Sequence, residues 1–196
     1  MNATLKILYK TKSTFDYLNN QYENKLSKNC ILIFITVGAI SGFESFYREL
    51  SHIKDYMTNG ELTILLFLSA VIGAGLGVVI GGYIITYAIY LLGKLLKGIG
   101  DLIDIRVVVA YSMIPSVLKL PVLLYLGLSD KLNGIAGFEF WIINIFYLLI
   151  WVWSLKIMIQ GIIRFHNFEL WKAILTTSPL WIVGLVLYFA PYVITN

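Results

Sequence analysis

The sequence predicts an all-α fold, a polytopic membrane bundle of five transmembrane helices behind an N-terminal amphipathic interfacial helix. Three observations predict it. Of 196 residues, 59% are hydrophobic and only 13% are charged, where soluble domains carry about 25% charged residues. Five long apolar runs follow one another, each near or above the roughly 20 residues that a helix needs to cross a bilayer. The basic residues alternate from loop to loop, which ties the runs to a membrane with two distinct faces. The mean hydropathy of +0.81 agrees.

Residues 1–29 form a basic amphipathic segment ahead of the transmembrane domain, 30–196. Lys6, Lys10, Lys12, Lys25 and Lys28 oppose Asp16 and Glu23. Leu5, Leu8, Phe15, Leu18, Tyr22 and Leu26 recur at steps of three, four and seven, one face of a helix. Such a helix lies in the headgroup plane, where its Lys residues gain from anionic lipid. The competing reading is a solvated helix packed on the bundle.

The first span is expected at 30–47, with Glu44 and Arg48 close to its far end. Eighteen residues rise about 27 Å, enough to cross with those charges at the interface. A linker with Lys54, Asp55 and Asn59-Gly60 follows. The second span, 62–92, has no charged residue. Its length requires tilt, a bend at its glycines, or extension beyond the membrane. The third, 105–126, starts after a loop bearing Lys94, Lys97, Asp101 and Asp104. Pro115 should kink it, because proline removes a backbone donor and clashes with the preceding turn. The fourth, 138–163, carries Trp141, Trp151 and Trp153. The fifth, 168–194, contains Pro179 and Pro191; a short interfacial piece before Pro179 is the alternative for its start.

Five spans put the termini on opposite sides. Eleven of the fifteen Lys and Arg then fall on the side of the N-terminus. The excess of positive charge makes that side cytoplasmic and the C-terminus external or lumenal. A cleaved signal peptide does not fit a first apolar run that begins after 29 polar residues. The positive charges flank hydrophobic segments rather than forming one stripe, which argues against nucleic acid as a partner. The single Cys30 excludes an internal disulfide; acylation is conceivable there, a small buried side chain is the ordinary reading.

Gly73, Gly77 and Gly81 repeat at four-residue steps. Three glycines at that spacing flatten one helix face and let a second backbone approach closely, within the monomer or between subunits. Lys119 is a cation well inside a span, and intramembrane charge is costly enough to invite a functional reading. Snorkelling toward the external interface, helped by Pro121, is the preferred explanation over a substrate contact. Asp101 and Asp104 could contribute to a cation site, but two carboxylates at a helix start are more often caps. Arg106 and Arg164 lie in charged turns. His166 has no second His or Cys beside it, so metal or proton-relay chemistry lacks partners. No Ser-His-Asp set, zinc pattern or phosphate-binding loop is present in the sequence, so no cofactor is implied.

The stretch Leu91-Leu92-Gly93-Lys94-Leu95-Leu96-Lys97-Gly98 leads into Val108-Val109-Ala110-Tyr111-Ser112-Met113-Ile114-Pro115. Gln160-Gly161-Ile162-Ile163-Arg164 is followed by Trp171-Lys172-Ala173-Ile174-Leu175. Together these resemble the Yip family of Ypt/Rab-interacting, five-span membrane proteins. The resemblance implies a non-enzymatic protein that forms homo- or hetero-oligomers, linked in eukaryotes to vesicle trafficking. The N-terminal segment is shorter than in eukaryotic members, and the glycines after the second span are the separate Gly98 and Gly100. The abundance of Lys, Ile, Asn and Tyr fits an AT-rich bacterial genome, so a prokaryotic member in the plasma (inner) membrane is expected. Two functions follow as expectations. One is a scaffold or adaptor acting through helix packing and its cytoplasmic face. The other is a transporter or channel for a small solute, ion or lipid, motivated by Lys119 and by kinks at Pro115 and Pro179.

Overall fold

The computed structural model describes residues 3–20, 23–53, 56–128 and 138–194, and all regular structure among them is helical. Helices α1 (Ala3–Lys6) and α2 (Thr11–Asn19) precede the long helix α3 (Glu23–Ile53). Helix α4 (Asn59–Leu76) passes without a break through a π-helical stretch, Gly77–Ile85, into α5 (Thr86–Leu95). Helix α6 (Leu102–Ser112) continues through 3-10 turns, Ile114–Lys119, into α7 (Leu120–Leu128). Helices α8 (Phe138–His166) and α9 (Leu170–Ile194) complete the order.

Four of these units are long and apolar enough to cross a membrane: Leu26–Tyr47, Asn59–Leu95, Leu102–Leu126 and Trp141–His166. The chain is therefore a multi-pass membrane protein. The fifth expected span is present as a helix, α9, of 25 residues. The loop expected at 127–137, and Lys54 and Asp55 in the first linker, lie largely or wholly outside the described residues.

Helix α6 is the centre. Half of its span is buried inside the protein, against 11% of the Asn59–Leu95 span. Ile105, Val107, Val108, Val109, Ala110 and Tyr111 are all buried, and a helix that is apolar all round belongs in the middle of a bundle. Asn59–Leu95, by contrast, is peripheral. It packs one side on α3 and leaves Phe67, Val71, Ile72 and Ile84 outside.

The start of the helix at Asn59 is set by a capping box. Glu61 accepts the Thr58 backbone N–H at 2.8 Å, and its own N–H donates to Thr58 Oγ1. Pro115 sits in the first turn of the 3-10 stretch, where a missing N–H is tolerated. The expected kink of the third span is thus a change of helix type. Around Pro179 the helix α9 continues. Proline cannot donate to the Leu175 carbonyl, and the Ser178 hydroxyl donates to it instead at 2.9 Å.

The N-terminal segment departs from the expected single helix. It is two short helices, and residues 23–29 already belong to α3. Leu5 is 62% exposed, so it is not on the buried face, whereas Ile7, Phe15 and Leu18 are buried in the core. Gly161 on α8 makes the room: a Cβ there would stand 2.9 Å from the Phe15 ring. Phe15 also meets Phe165 edge to face, at 5.9 Å between centroids. The apolar face of α2 is used by the bundle.

Candidate functional site

The helices place their polar and glycine residues in three layers, which begin with the seam between α3 and α4. Gly38 and Gly42 of α3 run antiparallel to Gly73 at the end of α4 and Gly77 at the start of the π-helical stretch. A Cβ on Gly73 would stand 2.8 Å from Gly42 Cα, and one on Gly77 would stand 2.8 Å from Gly38 Cα. The obstacles are backbone atoms, which cannot rotate away. Gly81 continues the line but faces the Phe34 ring. The glycine face that the sequence displays is therefore engaged within this chain. A groove of about 450 Å³ runs along the seam, lined by these glycines with Ser41, Ser45 and Met113.

The second layer holds Lys119. Its Nζ is 2.8 Å from Glu44 Oε2, with side-chain exposures of 22% and 11%. The ammonium also sits 4.7 Å from the centre of the Tyr147 ring, a favourable cation–π position. The charge is held by an ion pair between α3 and the 3-10 turns. The two partners are 75 residues apart, too far for local spacing to announce the pair.

The third layer is the end of the bundle that carries α2, and its centre is His166. The side chain is 1% exposed. Its Nδ1 accepts the Gly100 backbone N–H at 3.0 Å. Because Nδ1 accepts, the ring is neutral with its proton on Nε2. That nitrogen has no hydrogen-bond partner among the described residues. Three glycines close around the imidazole. A Cβ on Gly93 would run into Nε2, one on Gly98 would reach Nδ1 at 2.5 Å, and one on Gly100 would reach it at 3.0 Å. Phe168 covers the ring at 5.0 Å between centroids.

The backbone prepares this socket with two matching helix ends. At the end of α5, Gly98 N–H bonds Gly93 O at 2.9 Å and Lys97 N–H bonds Lys94 O at 3.0 Å. That is a Schellman motif, with Lys97 in the left-handed region at φ 65°. At the end of α8, Phe168 N–H bonds Ile163 O at 3.1 Å and Asn167 has φ 53°. One turn supplies the glycines and the other supplies the histidine.

The remaining candidates have separate partners. Asp104 accepts the Asp101 backbone N–H at 2.9 Å, so the two carboxylates cap α6. Arg106 donates from Nε to Gly82 O at 3.2 Å and covers the Tyr83 ring. It thereby satisfies a carbonyl in the π-helical stretch, while the Thr86 hydroxyl satisfies Gly81 O. Arg164 pairs with Asp16 of α2 on the exposed surface. Asp101, Asp104, Arg106, Lys119, Arg164 and His166 therefore do not converge on one pocket. Gly38, Gly42, Glu44 and Gly93 carry as much of the arrangement. Gly38 and Gly42 repeat the four-residue spacing of Gly73 and Gly77, a signal the sequence displays.

The family model of the Yip1 domain matches residues 5–190. The chain belongs to the Yip1 domain family. Neither a curated protein nor a solved structure gives a significant match. In this Yip1 domain the segment Leu91–Gly98 and the junction 160–175 are brought together by His166. Two of the regions that resemble the family in sequence thus meet in space through a residue between them.

Proposed function

We propose that this Yip1-domain protein is a non-enzymatic membrane scaffold or adaptor. It spans the membrane five times, with α9 as the fifth span, its N-terminus cytoplasmic and its C-terminus external. The surplus of Lys and Arg around α2, the end of α5 and the α8–α9 turn supports that orientation. The composition supports a bacterial plasma membrane.

The observation that carries the scaffold reading is the Lys119–Glu44 pair. A transporter's intramembrane charge serves its cargo or changes partner between states. Here the ammonium is held by a carboxylate and an aromatic ring from its own bundle. The peripheral span Asn59–Leu95, only 11% buried, offers a long apolar face on which other membrane helices can assemble. Crosslinking in native membranes followed by affinity purification should recover a stoichiometric partner, either another membrane protein or a second copy. Reconstituted vesicles should show no solute flux above empty ones. Flux that Lys119→Ala abolishes would replace this reading with transport.

A further inference from the structure

We infer that the cleft between the α1–α2 turn and α8 is a binding site for the headgroup of an anionic phospholipid. The cleft holds about 440 Å³. Lys10 and Lys12 line it from the N-terminal side and Lys156 lines it from α8. None of the three makes an ion pair with a described residue. The acidic group in the lining, Asp16, is already paired with Arg164. Three cations thus face one space with no counter-charge of their own, and an anion is what the space lacks.

The shape and surroundings favour a phosphodiester. Helix α2 starts at this cleft, and no side chain caps its first turn. The positive end of the helix dipole therefore adds to the lysines. Ser13 and Gln160 supply neutral hydrogen-bonding groups in the lining. Basic pockets beside transmembrane helices are a recurrent form of phospholipid headgroup site.

The position on α8 favours a lipid over a soluble anion. Ile145, Leu149 and Val152 are all about half exposed or more. They stand at helical steps of four and three, and Lys156 is the next residue of the same stripe. An acyl chain lying along that stripe delivers its phosphate to Lys156. Trp153, also in the lining, is the residue type that settles at the headgroup level. The site does not depend on the scaffold reading, since a transporter with this surface would bind the same lipid.

The test uses the full chain in detergent, observed by native mass spectrometry with phosphatidylglycerol and with phosphatidylcholine. Wild type should retain phosphatidylglycerol at least tenfold more strongly. Each lysine should contribute about fivefold, so Lys10→Gln, Lys12→Gln and Lys156→Gln together should remove the preference. A second triple variant, Lys94→Gln, Lys97→Gln and Lys172→Gln, makes the same charge change outside the cleft and should keep it. All six side chains lie outside the core, and an unchanged thermal midpoint checks the fold of both variants. Equal losses in the two variants, or no preference in wild type, would overturn the site. Displacement of the lipid by inorganic phosphate at the lipid's own concentration would overturn the lipid assignment.

Discussion

Replacing Glu44 by Gln should show how Lys119 is tolerated inside the bundle. The two charges are 2.8 Å apart and mostly out of contact with solvent. At an effective dielectric near 20, their gross attraction at that distance is about 6 kcal/mol. Most of it offsets desolvation, so the net value of the pair against an apolar replacement is small. Breaking one side is different, because a buried charge is left behind at about 3–5 kcal/mol. The Tyr147 ring faces the ammonium in wild type and variant alike, so it does not change this difference. The expected loss is therefore about 3–5 kcal/mol. Lys119→Met should also destabilise, because it removes the ammonium from beside the Glu44 carboxylate. The double variant should sit within about 1 kcal/mol of wild type, since both charges have gone. Unfolding free energies in mixed detergent micelles, taken around this double-mutant cycle, give the coupling directly. If Lys119 instead reached the membrane surface, Glu44→Gln would be nearly silent and the two losses would simply add. Either result would refute the ion-pair account.

Other substitutions separate packing from tolerance. Gly73→Ala should lose about 1–3 kcal/mol, because the new Cβ meets the α3 backbone. Gly75→Ala, with nothing within 4 Å, should gain about 0.5–1 kcal/mol from helix propensity; micelle unfolding reads both. Gly93→Ala should lose about 1–3 kcal/mol against His166. That loss should shrink sharply in a His166→Ala background, which a second cycle measures. Lys97→Gly should raise the thermal midpoint, by relieving a left-handed backbone at φ 65° for about 0.5–1 kcal/mol.

Periodicity and hydropathy made the long helices legible, because lipid demands apolar length and leaves little freedom in how it is supplied. The capping of α6 by Asp101 and Asp104 was legible for a similar reason, since caps act within four residues. The Lys119–Glu44 pair was not, because its members come from different helices and each alone looks like an interfacial charge. The burial of α2 was hidden too. A basic helix with one apolar face reads the same whether lipid or protein covers it. Gly161, far along the chain, leaves room for Phe15. The role of His166 needed Gly93, Gly98 and Gly100 to be seen closing on it, and no single window of sequence contains both sides of that contact.

The π-helical stretch at Gly77–Ile85 acts as a phase shifter within one continuous rod. Its i to i+5 ladder holds more residues per turn than the α-helix on either side. Sixteen α-helical residues would carry Gly93 about 160° away from the side that Gly77 presents to α3, and the wider turns of the π-helical stretch bring it back toward that side. One rod thereby meets a partner helix within the bilayer and a histidine socket at its end, each at the angle it requires. Deleting a single residue from the stretch would turn everything beyond it by about 100°. Both faces would survive as surfaces, but they could no longer be satisfied together. The spacing between Gly77 and Gly93 is thus a constraint of rotation as much as of length.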